Sequence, residues 1–486
     1  MSEDRSIHSL SLSHTLDLLS PEAVERIHDQ TLHILDGVGI RIDSKQIRKR
    51  LGDAGARVDD GTKQVHFPSQ LVEDALARAP RSFVMASRAP GADLVVDGTQ
   101  GYLTSDGCAA NVIDLETGER RPSTKHDLGQ ISKLADALPE IGFLWQSVAA
   151  RDVPAHVESM HELQVQFANT GKHIQMMTAV TAQAAQGVVD IARIVAGGAD
   201  QLRKHPVISA FQCSVSPLKY EEGALEAAVV YGEAGVPCGF VVMPITCASS
   251  PATPGGTLVQ ANAEILAGIV TLESLVPGTP TFYGCCATVM DHFSGAAACG
   301  GPEDLFYQMA SAQLAHFYGV PASIGTFATG AKTANWQAGL ENGISGLASA
   351  LSGAEMFCGA GLLHGASVFS FEQMLLDAEI FRLLSHLFTV PSQVPEDSFL
   401  PVLEKVGPGG HYLEERHTLQ HMRNLWLPRF FDRRSWEEWE AEGKPGPRQE
   451  AHEKVRSILD SHQPPMLDDR MDAEIEKIIQ SYEGEK

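Results

Sequence analysis

An α/β fold, a closed (β/α)8 TIM barrel with a mixed N-terminal region and a C-terminal helical extension, is what this 486-residue sequence predicts. Three observations predict it. From about residue 143 an apolar run rich in Val, Ile, Phe and Thr is followed by a helix-length amphipathic segment, and the pair repeats seven times. Continuous apolar strands alternating with helices mean a parallel sheet covered on both faces. An eighth unit, the strand near 111–114 leading into a helix at 125–137, completes the count for a barrel. An open doubly wound sheet uses the same alternation, and the seven clear units favour the barrel.

In chain order, Ser20 caps a first helix with Pro21 and Glu22 in its first turn and Gly37 as its stop. Two more helical patterns lie near 44–54 and 69–79. Short extended segments follow at 83–87, 94–96, 102–106 and 111–114, separated by turn-forming glycines. The repeated apolar runs are 143–149, 173–180, 206–214, 239–246, 281–287, 322–328 and 362–369. The helical segments are near 156–169, 181–196, 219–234, 258–275, 303–318, 336–355 and 371–388. Beyond 400 a Gly-rich turn (Gly407, Gly409, Gly410), a Trp-rich charged stretch and two terminal helices read as an appended extension. The expected organisation is residues 1–100 as the mixed region, 101–395 as the catalytic barrel and 396–486 as the helical extension.

Thirty-seven basic against sixty-one acidic residues give a formal charge of -24, a field that repels phosphate backbones and anionic lipid. Nucleic acid and membrane are therefore excluded as expected partners. With no basic leader and no long uninterrupted apolar stretch, a cytoplasmic location is expected. Eight scattered cysteines, adjacent only at Cys285 and Cys286, fit reduced buried thiols.

The segment from Gly325 to Thr333 resembles a phosphate loop, but Ala331 separates Gly330 from Lys332, where the ammonium must follow the glycine directly. His417 and His421 share a helical spacing without a third metal ligand nearby, so no metal is expected on the chain. Position along the barrel is more informative, because catalytic groups sit at the C-terminal ends of the strands. That rule selects Ser147, Met177, Gln212, Ser214, Pro244, Thr246, Tyr283, Cys285, Phe327, Thr329, His364 and Phe369. The set holds no carboxylate pair, Schiff-base lysine or metal cluster, and no catalytic residue is singled out. It is rich in rings, with Trp145, Phe211 and Trp336 close by in sequence. Core packing accounts for part of these; the rest could stack around a cation. The expected binding residues are Phe211, Gln212, Tyr283, Phe327, Trp336, His364 and Phe369.

Gly255-Gly256 with Asn262-Ala-Glu-Ile-Leu-Ala-Gly268, Pro277-Gly-Thr-Pro280 and Tyr283-Gly284 resembles the trimethylamine methyltransferase family. So do Ser370-Phe-Glu-Gln-Met-Leu-Leu-Asp-Ala-Glu379, Gly407-Pro-Gly-Gly-His411 with His417-Thr-Leu, Asp114-Leu-Glu-Thr-Gly118 with Arg121, Asn169-Thr with Lys172-His173, and Ser216-Pro-Leu with Tyr220. The likeness spans about 20–440. It implies a corrinoid-dependent methyltransferase acting on a methylated amine. Where relatives carry acidic residues before Ala331-Lys332 and before Gln337-Ala-Gly, this chain has Gly330 and Asn335. The trimethylamine enzyme inserts pyrrolysine around 328–330, and only standard residues stand here.

The resemblance therefore implies a quaternary amine, with glycine betaine foremost, since such an amine leaves neutral and needs no proton donor. Carnitine, proline betaine, choline and dimethylsulfoniopropionate suit the same kind of cage, and a non-catalytic onium binder is the reading from another class. A lower-ligand motif for a corrinoid is missing, because Asp291-His292 has the wrong spacing. The corrinoid is accordingly expected on a partner protein, with no tightly bound cofactor on this chain, which is itself expected to form a homo-oligomer.

Overall fold

The computed structural model describes residues 7–13, 15–105, 107–390 and 399–484. Eight parallel strands form its centre: β1 (Gln100–Ser105), β2 (Ile141–Leu144), β3 (His173–Met176), β4 (Ile208–Cys213), β5 (Cys238–Val242), β6 (Tyr283–Cys285), β7 (Ala322–Gly325) and β8 (Met356–Ala360). Each pairs with the next and β8 pairs with β1, so the barrel is closed. Around it run α1 (Lys125–Ala137), α2 (Glu158–Asn169), α3 (Ala182–Ala196), α4 (Glu222–Ala234), α5 (Pro254–Leu275), α6 (Pro302–Tyr318), α7 (Trp336–Ser352) and α8 (Phe371–Thr389). Their starts follow ordinary capping chemistry. Thr124, Thr181, Thr253, Asn335 and Ser370 each accept a first-turn backbone N–H, and Gly197, Gly235, Gly319 and Gly353 end α3, α4, α6 and α7 in the left-handed region.

Two expected strands are displaced. The first barrel strand is β1, buried along nearly its whole length, whereas Asn111–Ile113 forms a rim hairpin with Arg120–Pro122. Asp114 turns that hairpin by accepting from Glu116 N, Thr117 N and Arg121, which explains the Asp114 to Gly118 motif. Likewise the run at 362–369 is not the last barrel strand. It is a hairpin, Leu362–Leu363 with Val368–Phe369, laid on the rim beside Asn111–Ile113. The barrel strand precedes it and includes Gly359, where φ is +119° and an added Cβ would meet the Phe327 backbone at 2.7 Å. Asp106, the end of the extended segment expected at 102–106, and the domain boundary expected at 395/396 fall outside the described residues.

The hairpin Phe83–Met85 with Leu94–Val96 closes the N-terminal end of the barrel. Its Phe83, Met85, Leu94 and Val96 pack with the barrel-lining Tyr102, Phe143 and Met356. α5 is the one helix among the described residues long and apolar enough to cross a membrane, but 83% of its apolar window is buried in the protein. The helices Pro21–His33 and Ser69–Arg78 lie against it on one side. On the other, Gly268 meets the Phe240 ring so closely that a Cβ would sit 2.3 Å from it. The terminal helices Pro447–Ser461 and Asp469–Glu483 pack on the outside of α8 and α3, burying Ala451, Val455, Ile475 and Ile479.

Candidate active site at the barrel mouth

Strand alternation decides which side chains enter the lumen. On β2 and its extension the inward residues are Phe143 and Trp145, on β3 and the residue after it His173, Gln175 and Met177, and on β4 Ser209, Phe211 and Cys213; hydrogen bonds of Ser209 with His173 and Gln175 fix this phase. Trp145, Met177, Phe211, Cys213, Val241, Cys286 and Cys358 belong to one apolar cluster. The Trp145 and Phe211 rings lie 4.7 Å apart, tilted by 48°. Since the N-terminal end is plugged, access is from the C-terminal side, where Met177, Cys213 and Cys286 are half-buried above a floor of Trp145, Phe211 and Val241. This mouth is aromatic and aliphatic at its floor and rich in sulfur above it.

The structure brings few of the expected binding residues together. Phe211 lines the lumen. Gln212, one position on, points outward and donates to Ala179 O. Tyr283 also faces outward, where its hydroxyl donates to Asn262 Oδ1 at 3.1 Å behind β6. Phe327 packs against Gly346 of α7, and Phe369 against Gly361 and Phe371; both rings are wholly buried. Trp336 is 79% exposed at the start of α7. His364 is exposed on the rim with φ +52°, and its imidazole pKa is lowered by partial burial and by Lys332 and Arg120 nearby. Of the adjacent thiols, Cys286 faces the lumen and Cys285 the helices, as alternation requires.

Carboxylic acids also stand around this end, although the strand-end set holds no carboxylate pair. Glu162 on α2 is wholly buried; its oxygens accept from Ala150 N at 3.0 Å and the Thr178 hydroxyl at 2.6 Å, yet burial lifts its pKa to about 8. Burial similarly raises Asp304, bonded by Thr288 and Gly300 N, to about 6, and Asp377, bonded by Gly361 N, Asn342 and Gln373, to about 7. Glu341 accepts from Thr329 and from Gly330 N, which fills the segment resembling a phosphate loop with a carboxylate. All four acids project from helices, so a rule that inspects strand ends passes over them. Gln175 and Trp145 are recoverable from sequence by counting twos along β3 and from Phe143.

A corrinoid macrocycle does not fit within this lumen. Eight strands leave an interior just wide enough for side chains, and Trp145 and Phe211 already occupy the floor. Asp291 is committed to a surface turn, where it accepts from Phe293 N and Ser294 N.

A sequence profile of the trimethylamine methyltransferase family matches residues 5–485. Trimethylamine methyltransferase MttB of Desulfitobacterium hafniense is 33% identical over 466 residues, covering 96% of this chain and 94% of that protein. Glycine betaine methyltransferase of the same species is 33% identical over 466 residues, covering 95% of this chain and 96% of that protein. Among solved structures, Methanosarcina barkeri monomethylamine methyltransferase MtmB is similar at 12% identity and a TM-score of 0.49, over 92% of this chain and 93% of that one. The family profile and the two curated relatives define a methyltransferase of the corrinoid-dependent class. The chain belongs to the trimethylamine methyltransferase family.

Proposed function

We propose that the protein takes a methyl group from a small quaternary amine, glycine betaine foremost, and passes it to the Co(I) corrinoid of a separate protein. The observation that carries this reading is the mouth lining of Trp145, Phe211, Val241, Met177, Cys213 and Cys286, none of which is charged. A quaternary ammonium spreads its charge over methyl groups and has no N–H to satisfy, so rings and polarisable sulfur suit it, each close ring contributing on the order of ~1 kcal/mol. The full-length likeness to a glycine betaine methyltransferase supports the same substrate class. In this reading the lumen holds the headgroup with one methyl toward the mouth, and the corrinoid, too large to enter, stays on its own protein above the rim. The corrinoid supplies the nucleophile; this chain supplies position and a water-poor wall. A cytoplasmic location suits the exchange.

The test is purified protein with a reduced corrinoid protein and a panel of glycine betaine, carnitine, proline betaine, choline, dimethylsulfoniopropionate and trimethylamine, followed by the corrinoid absorption spectrum. Transfer from a quaternary amine is expected. Transfer from trimethylamine alone would refute the reading.

A further inference from the structure

Among the buried polar atoms with no protein partner are two of opposite character on lumen-facing side chains, the indole Nε1–H of Trp145 and the side-chain oxygen of Gln175. Trp145 is 2% exposed and Gln175 wholly buried. Orphaned buried polar groups are uncommon in folded proteins and call for a ligand or water.

The orientation of Gln175 is dictated by its neighbours. His173 lies in the lumen with Nδ1 2.9 Å from Ala86 O, an acceptor only, so the ring proton is on Nδ1. Full burial lowers the pKa of this imidazole to about 4, which keeps it neutral and leaves Nε2 as an acceptor. The Ser209 hydroxyl, 2.8 Å from Nε2, must then donate to it, and the Ser209 oxygen accepts from the Gln175 amide at 3.0 Å. The chain runs Gln175 N–H to Ser209 O–H to His173, and ends on the Ala86 carbonyl beside the hairpin that plugs the barrel. The amide NH2 is thereby turned toward Ser209 and the carbonyl oxygen is left over.

We infer that Trp145 and Gln175 are the polar determinants of a substrate that is a zwitterion, with the Trp145 N–H donating to its carboxylate and the Gln175 oxygen facing its methylated cation against the Phe211 ring. This rests on the onium reading above and deepens it. A simple cation offers the indole N–H nothing to bond to; a betaine carries an acceptor a few bonds from the charge. Discrimination follows from the cost of an unpaired buried donor, which corresponds to roughly 10-fold or more in affinity. Trp145 acts on substrate recognition, and Ser209 and His173 are positioning residues.

Calorimetry on the whole protein with glycine betaine, choline and tetramethylammonium tests this directly. Trp145→Phe keeps an aromatic ring and removes the donor. It should raise the betaine Kd by roughly 10-fold or more and leave tetramethylammonium within about 2-fold, whereas Phe211→Ala should weaken all three. Equal effects of Trp145→Phe on betaine and tetramethylammonium would overturn the inference and leave the onium reading standing; a wild-type protein that binds none of the three would overturn both. Should Trp145→Phe fail to fold, the wild-type protein with 15N-labelled tryptophan provides the second readout. One indole N–H resonance should move downfield with betaine and stay in place with tetramethylammonium. No movement with saturating betaine would refute the assignment.

Discussion

At Glu162 the cost of burying a charged carboxylate outweighs the two hydrogen bonds that favour it, so the folded protein holds a proton up to about pH 8, against 4.5 for the group's ordinary value. Between those limits the unfolded chain has released a proton that the folded chain keeps. Stability therefore falls as pH rises from about 4.5 to about 8 and levels off beyond. Asp304 and Asp377 act with the same sign over narrower windows that end at about 6 and about 7. Glu162→Gln, uncharged at every pH, should remove part of this decline, on the order of a few kcal/mol between pH 5 and 8. Denaturant titrations of wild type and variant at both pH values measure it; parallel declines would show that Glu162 is ionised in the fold. The same variant also probes the chemistry. A departing tertiary amine needs no acid, so transfer from betaine should persist within about 3-fold, where loss of a true general acid costs roughly 100-fold or more. The rings separate just as cleanly. Phe369→Ala should cost about 3 to 5 kcal/mol of stability because the ring is wholly buried. Trp336→Ala, on an exposed helix start, should stay within about 0.5 kcal/mol.

Among the elements, the alternation of apolar runs with helical segments is legible because the hydrophobic period changes at every boundary, and α2, α3, α6 and α8 begin and end within about two residues of their expected bounds. The outermost turn of the barrel was harder to read. An apolar run at 362–369 and an extended segment at 111–114 look like barrel strands in isolation, but both are buried by pairing with each other on the rim, a long-range fact. The site suffered from the same limit at finer scale. A strand-end rule gives position and not direction, so it takes in Gln212 beside Phe211 although one residue reverses the side chain. The motif in α5 turns out to be scaffold. Asn262 donates to Thr31 and Tyr318 and accepts from Tyr283, while Glu264 accepts from Ser214, Ser216 and Leu218 N and so holds the loop after β4. A further scaffold element is the last helix, Asp469–Glu483, seated on α2 and α3 through Ile475 and Ile479 and tied by Glu483 to His161 at 3.1 Å. Ile475→Ala should lower stability by about 2 to 4 kcal/mol in chemical denaturation without changing betaine affinity; a loss of affinity with unchanged stability would make the helix part of the site.

For the molecule as a whole, charge and access pull in different directions. The lumen is narrow and uncharged, but the chain carries a formal charge of -24 and must receive a second protein over the C-terminal face if its methyl acceptor is a carried corrinoid. That face presents the exposed Lys332 and Arg120 together with the half-buried Glu158 and Glu341, a mixed rim on a strongly acidic body. Encounter between two folded proteins is governed by such rim charges, which change the association rate more than the affinity of the docked state. At physiological ionic strength the screening length is about 8 Å, so raising salt weakens exposed rim charges far more than contacts inside the lumen. Methyl transfer at subsaturating corrinoid protein should therefore change several-fold between about 20 and 500 mM salt, while the betaine Kd of the isolated protein changes by less than about 2-fold. Transfer to the free cofactor, which lacks a protein surface, should show the weaker dependence. If the free and protein-bound cofactors were methylated at equal rates with the same salt response, docking over the barrel mouth would have no part in the reaction.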